Sequence, residues 1–190
     1  MRTCRTLCRA LFAAAALLTA GCAAPTAPNR KGNDMYWTQD FARLLPLLGH
    51  RNWILVVDKA YPYQSAPGIT TLDTREPLPD VLERVVAALN ATPHVRPVFY
   101  TDLELNAIGE DLAPGASAYR AELARILKGA DTQTLPHDSV FAKLADASKL
   151  FQVVVLKTES TLAYSSVFIE LDCAYWSPAK EKALREKLSR

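Results

Sequence analysis

The chain has 190 residues, of which 22 are Lys or Arg and 20 are Asp or Glu, and 49% of the chain is hydrophobic. No basic patch with interleaved aromatic residues occurs, which argues against a nucleic-acid partner. About 150 residues are expected to fold, enough for one domain with its own hydrophobic core.

The first 21 residues have the pattern of a secretory leader. Three arginines precede a short apolar run, Ala10 to Ala20, which is too short to span a bilayer as a mature helix. The segment Thr19 to Cys22 resembles a bacterial lipobox, so we expect residues 1–21 to be removed and Cys22 to be acylated. An ordinary leader followed by an incidental cysteine is the alternative.

Removal of the leader changes the charge and the cysteine content of the chain. Three arginines are lost, which leaves 19 basic and 20 acidic residues. Only Cys22 and Cys173 remain, so acylation of Cys22 leaves no pair for an internal disulfide. We expect a lipid-anchored protein of the bacterial cell envelope, on the periplasmic face, with residues 22–34 as the lipidated cysteine and a flexible linker.

Apolar periodicity predicts helices and strands that alternate along the rest of the chain. The predicted helices are 40–48, 80–90 with Asp80 as its cap, 117–128 and 138–149. The predicted strands are 53–57, 95–101, 151–157 and 164–173. Residues 61–79 contain four prolines and are predicted to form a long ordered loop over the strand ends.

This alternation predicts an α/β fold, specifically a three-layer α/β/α sandwich with a mostly parallel or mixed sheet. The half-polar pattern of residues 164–173 is typical of an edge or interface strand. We expect one domain, residues 35–176, followed by a charged helix over residues 177–190 that stays solvated. Its start is indicated by Ser177 as the cap and Pro178 in the first position.

Two polar residues flank the apolar strand 53–57. His50 precedes it and Asp58 follows it, eight residues apart. Five extended residues span roughly 17 Å, so the adjoining loops must fold back if both side chains are to share a pocket. Taken alone, His50 is a helix-end cation or turn residue, and Asp58 is a turn former at the end of a strand.

The same stretch resembles the start of a known enzyme family. The sequence Leu48-Gly49-His50, a hydrophobic strand, Asp58 and then Pro62 is similar to the first motif of the ribose pyranase and fucose mutarotase (RbsD/FucU) family. The resemblance covers residues 41–175. It implies an α/β/α sandwich with a mixed sheet and ring-shaped homo-oligomers whose sites lie near subunit contacts.

Two further matches follow in the same order as in that family. Thr158-Glu159-Ser160 and Tyr164-Ser165-Ser166-Val167 resemble its second motif, which has an Asn where this chain has Ser166 and a Gly that this chain lacks. His137, at the start of a short helical segment, is a third and looser match.

The resemblance assigns roles to five residues. His50 is the expected acid/base of a monosaccharide isomerase, Asp58 and His137 are expected to bind the sugar, and Tyr164 and Ser166 are expected to border it. Opening and closing a sugar hemiacetal needs a group that titrates near neutral pH, which histidine supplies without a cofactor or a metal.

Two other functions fit the same residues. The fold could have kept sugar binding and lost catalysis, which the serine at position 166 favours because its side chain is shorter than Asn. His50, Asp58 and His137 could instead form a metal site of two histidines and one carboxylate, although their spacing matches no recognised metal motif. The remaining histidine, His94, is predicted to be a surface residue.

Overall fold

A computed structural model describes residues 34–189 of the chain. These residues form one six-stranded sheet, composed of β1 (Trp53–Val57), β2 (Ile69–Asp73), β3 (Val95–Asp102), β4 (Thr132–Leu135), β5 (Val153–Lys157) and β6 (Val167–Cys173). The strand order is β2-β5-β1-β6-β3-β4. Five strands point the same way, and β6 runs antiparallel to both of its neighbours.

Helices cover both faces of this mixed sheet. They are α1 (Asp34–Leu44), α2 (Leu78–Asn90), α3 (Ala116–Ile126) and α4 (His137–Ala147), and a fifth helix, α5 (Pro178–Leu188), follows the last strand. The first three contribute to a core on one face, and α4 contributes to a second core on the other. The predicted three-layer α/β fold is confirmed.

Burial of strand β1 on both faces explains why residues 53–57 are all apolar. Its five residues are all buried. Ile54 and Val56 belong to the core under α1, α2 and α3, whereas Leu55 and Val57 belong to the core under α4. A central strand with cores on both faces has no position for a polar side chain.

The prediction that residues 164–173 form an edge strand is wrong, because β6 lies between β1 and β3 in the middle of the sheet. The alternative, an interface strand, stays a prediction. The polar side chains of β6 are satisfied by the neighbouring strand. Glu170 accepts a hydrogen bond from the Tyr100 hydroxyl at 2.8 Å, and Asp172 forms an ion pair with Arg96.

The loop predicted over residues 61–79 contains a strand, β2, and a second unpredicted strand, β4, follows α3. Both are outer strands of the sheet, and half or more of their residues carry threonine or another polar side chain. Outer strands need less apolar surface than central ones, which is why hydrophobic periodicity did not reveal them.

Two helix boundaries also differ from the prediction, the start of α2 and the end of α1. Helix α2 begins at Leu78, and Asp80 lies inside its first turn without capping it through its side chain. Helix α1 ends at Leu44 and is followed by a 3-10 turn, Leu45–Leu47, that contains Pro46. A proline is tolerated there because it lies outside the regular α-helical hydrogen bonds.

The C-terminal helix α5 behaves as predicted. The Ser177 hydroxyl caps it by accepting the Lys180 N–H at 3.2 Å, and the helix has no buried residue. Within residues 34–189, no helix has the length and apolar composition that crossing a bilayer requires. The predicted leader and the acylated Cys22 lie outside the described residues.

Candidate functional site

One edge of the sheet collects polar side chains from several elements. Val167, the first residue of β6, pairs with Val56 of β1 and with Thr101 of β3. Ser166, directly before it, therefore lies between the carboxyl ends of β1 and β3. In α/β folds, ligands commonly bind outside this edge of the sheet.

Asp58 follows β1 at this edge and bonds to Ser166. The Ser166 hydroxyl donates to Asp58 Oδ2 at 2.9 Å, and the Asp58 backbone N–H donates to Ser166 Oγ at 3.2 Å. The Ala60 N–H donates to the other carboxylate oxygen at 2.8 Å. A carboxylate has about four acceptor positions, so Asp58 keeps capacity for a ligand hydroxyl.

Lys59, next to Asp58, does not compete for that carboxylate. Its ammonium group bonds to Glu159 Oε1 at 2.6 Å and lies 3.8 Å from Asp73 Oδ1. Consecutive residues at the end of a strand face opposite sides, which accounts for the separation.

His137 is the first residue of α4 and lies at the same edge. Its Nδ1 is 2.9 Å from Asp102 Oδ2. Both carboxylate oxygens of Glu104 accept the His137 backbone N–H, at 3.1 and 3.2 Å, which secures the start of the helix. The His137 side chain is 37% exposed, whereas that of Asp102 is fully buried.

The environment of Asp102 is electrostatically costly for a carboxylate. Burial raises the pKa of Asp102, and the hydrogen bond and charge of His137 offset part of that rise. The neighbouring negative charges of Glu104 and Asp58 raise the same pKa further. Within residues 34–189, Asp102 Oδ1 is the one buried side-chain polar atom without a hydrogen-bond partner.

Two tyrosines border these groups. Tyr164 has a left-handed backbone, with φ of 58°, and its ring meets the His137 ring edge-on at a centroid distance of 5.2 Å. Tyr119 of α3 donates its hydroxyl hydrogen to the Ser165 carbonyl, and burial raises its pKa. The structure therefore brings Asp58, His137, Tyr164 and Ser166 to one edge of the sheet.

His50 lies at the opposite end of β1. Its Nδ1 is 3.1 Å from Asp172 Oδ1, and Arg51 Nε donates to its Nε2 at 3.1 Å. The five residues of β1, about 17 Å when extended, separate it from Asp58. The loops do not fold back, so one chain does not bring together His50, Asp58 and His137, the three residues considered for a metal site.

Asp102 and Tyr119 were not predicted as site residues. Asp102 is the last residue of β3, and Asp58 directly follows β1. A carboxylate at the end of each of these two parallel strands could have indicated Asp102 as a site residue. Tyr119 lies within the predicted helix 117–128, where an aromatic residue is expected for packing alone.

No protein-family model matches the chain, and no curated protein matches its sequence. Among solved structures, the chain is similar to Bacillus subtilis RbsD complexed with D-ribose, at 19% identity and a TM-score of 0.47, over 69% of this chain and 89% of that one. It is similar to the fucose mutarotase from Streptococcus pneumoniae in complex with L-fucose, at 17% identity and a TM-score of 0.47, over 73% and 92%. FucU from Bifidobacterium longum matches at 11% identity and a TM-score of 0.47, over 70% and 92%.

These structures bear the names of the family that the sequence motifs resemble. Identities below 20% and TM-scores below 0.5 do not assign an activity to the chain.

Proposed function

We propose that the chain binds a monosaccharide at the edge formed by Asp58, His137, Tyr164 and Ser166, and catalyses exchange between its ring forms or anomers. The observation that carries this proposal is the His137 side chain, which is fixed through Nδ1 to a buried carboxylate and is still 37% exposed. A histidine held in this way presents its other ring nitrogen to a bound molecule.

The reaction consists of two proton transfers. The anomeric hydroxyl loses a proton and the ring oxygen gains one, so the hemiacetal C–O bond breaks and an open-chain aldehyde forms. Closure on either face of the carbonyl returns both protons and yields either anomer. His137 Nε2 serves as the acceptor for the first transfer, since the imidazole is the side chain that most often acts as a general base.

Asp58 and Tyr164 supply binding and orientation. A half-buried carboxylate accepts hydrogen bonds from sugar hydroxyls, and such charge-assisted bonds are stronger than neutral ones. Tyr164 is 39% exposed, and its ring contacts the imidazole of His137 in a perpendicular arrangement, so it borders the same edge.

The predicted catalytic role of His50 requires a second copy of the chain. Within one chain His50 is bonded to Asp172 at the far end of β1. In a homo-oligomer of the kind that the resemblance implies, His50 of a neighbouring copy supplies the second proton transfer. In a monomer, a water molecule would carry out the second proton transfer.

A second candidate is sugar binding without catalysis. It is favoured by the position of His50, the predicted acid/base, which is bonded to Asp172 at the opposite end of β1 and is therefore missing from the sheet edge of a single chain.

We further propose that the mature protein is anchored to the bacterial envelope, on its periplasmic face, through acylated Cys22. Support comes from the lipobox and from a linker of about a dozen residues before α1. Mass spectrometry of the membrane fraction tests it. Acylation should add two or three fatty-acyl chains at Cys22, and a Cys22→Ser variant should be released, whereas an unmodified Cys22 would contradict the anchor.

The activity is tested by exchange NMR on ribose and fucose with the wild-type protein and the His137→Gln variant. Faster anomer exchange that is lost in the variant supports the isomerase. Saturable binding with no acceleration supports the binding protein, and absence of both would contradict this assignment.

A further inference from the structure

Asp102 is a buried carboxylate that the fold does not stabilise in the usual way. Its side chain is fully buried and its one side-chain hydrogen-bond partner among the described residues is His137. The other oxygen, Oδ1, has no partner. A buried polar atom without a partner generally costs about 1–3 kcal/mol, so such an atom in a native fold calls for an explanation.

A second buried carboxylate in the same chain shows what a structural role looks like. Glu76 is 7% exposed, and its Oε1 accepts hydrogen bonds from Trp37 Nε1 at 2.8 Å and from Arg84 at 3.0 Å. These bonds tie α1, α2 and the segment after β2 together, and a cation compensates the charge. Asp102 ties no comparable set of elements, and it has Glu104 and Asp58 as negative neighbours.

The contact with His137 has a defined chemical consequence. An ionised carboxylate is only an acceptor, so the 2.9 Å contact places a hydrogen on His137 Nδ1. In the neutral ring this leaves the lone pair on Nε2, at the opposite edge of the imidazole. Free histidine in water prefers the other tautomer, with its hydrogen on Nε2.

We propose that Asp102 is a positioning residue, which fixes the tautomer and the ring orientation of His137 so that Nε2 faces the sheet edge as a proton acceptor. The part of this inference that concerns reaction rate rests on the proposed isomerase function. The part that concerns the tautomer does not, because it describes His137 in the protein without a ligand.

The direction of the pKa shift of Asp102 predicts how the free energy of unfolding depends on pH. Four titratable groups face it from the packed elements: His137 on α4, Glu104 after β3, Asp58 after β1 and Tyr119 on α3. Because its folded pKa is raised, Asp102 contributes stability when it is protonated, and this contribution is lost as pH rises through that pKa. At neutral pH an uncharged residue of the same shape should be tolerated as well or better.

The test compares Asp102→Asn with Glu104→Gln, which removes the same charge beside the His137 backbone without touching the imidazole. Nitrogen and carbon chemical shifts of the three labelled histidine rings report the tautomer. Wild-type His137 should carry its hydrogen on Nδ1 in the neutral form. The Nδ1–H fraction should fall in Asp102→Asn and stay high in Glu104→Gln.

Two further readouts separate positioning from structural support. The free energy of unfolding of Asp102→Asn in urea at pH 7 should equal or exceed that of the wild type. Its anomer-exchange rate should fall at least about tenfold, a smaller loss than the hundredfold or more expected when the acid/base group itself is removed. Exchange by Glu104→Gln should remain within twofold of the wild type.

The outcomes distinguish the tautomer of His137 from the proposed isomerase function. A wild-type His137 with its hydrogen on Nε2 would overturn the proposal without any variant, so poor folding of Asp102→Asn leaves it testable. If the wild type catalyses exchange and Asp102→Asn does so at the same rate, the positioning role of Asp102 would also be overturned. A wild type that shows the expected tautomer but no sugar exchange would remove the proposed function and leave the positioning intact.

Discussion

Ser166 and Asp58 hold each other through two hydrogen bonds. The hydroxyl of Ser166 donates to Asp58 Oδ2 at 2.9 Å, and its oxygen accepts the Asp58 backbone N–H at 3.2 Å. Ser166 is 4% exposed and precedes β6, so this pair joins the end of β1 to the start of the neighbouring strand. The orientation of the Asp58 carboxylate is thereby set by the chain.

Replacement of Ser166 by alanine should destabilise the protein by about 1–3 kcal/mol, because the Asp58 N–H and one carboxylate oxygen lose their partner in a partly buried position. Urea unfolding at pH 7 measures this change. Ser139→Ala, on the exposed surface of α4, is the control and should stay within about 0.5 kcal/mol of the wild type. Equal stabilities of the two variants would show that the Ser166 bonds contribute nothing.

Replacement of His137 by glutamine should reduce anomer exchange at least about a hundredfold, since it removes the proton acceptor and keeps a side chain of similar size. His94→Gln is the matched control. The His94 side chain bonds to the Leu48 carbonyl at 2.9 Å, next to the start of β3 and far from the site edge. Exchange rates by NMR should fall in the first variant alone, and equal losses in both would point to a general effect on folding.

The role of His50 is tested by mixing two inactive variants. If a second copy supplies His50, both His50→Ala and Asp58→Ala lose exchange, and co-refolded mixtures of the two regain part of it. The recovery arises because mixed oligomers contain some sites in which both residues are intact. Full activity of His50→Ala alone would remove His50 from the mechanism, and inactive mixtures would contradict a site shared between copies.

Tyr61 predicts a specific loss of stability at high pH. It is 5% exposed, and burial raises its pKa to about 12. A raised folded-state pKa means that the contribution to stability is complete below about pH 10 and is lost as pH rises towards 12. Tyr61→Phe should therefore lose less free energy of unfolding between pH 9 and pH 11 than the wild type. Parallel pH curves for the two proteins would contradict this.

The layered fold was predictable because β1, β5 and the inner faces of α2, α3 and α4 carry strong apolar patterns that burial requires. Strands β2 and β4 were not predicted because the sequences of threonine-rich outer strands resemble those of loops. The error over β6 has another cause. Alternation shows that a strand has a polar face, but it does not show that Tyr100 and Arg96 satisfy that face from the next strand.

The candidate site was predictable only in part. Asp58, His137, Tyr164 and Ser166 were named from a family resemblance, and the structure gathers them at one edge. The position of Asp102 at the end of a strand could have marked it as a candidate, but its contact with His137, a residue 35 positions away, could not be predicted from the sequence. His50 lies far from Asp58 because β1 runs straight between them. The sequence showed only that the flanking loops would have to fold back for the two side chains to share a pocket.

The most direct test of the central claim is saturation-difference and exchange NMR on a soluble form, residues 23–190, with ribose, fucose, galactose and glucose. The proposed function predicts contacts to at least one sugar and faster exchange between its anomers. That acceleration should be lost when His137 is replaced by glutamine. Silence with all four sugars, from a protein shown to be folded, would contradict a monosaccharide site at this edge of the sheet.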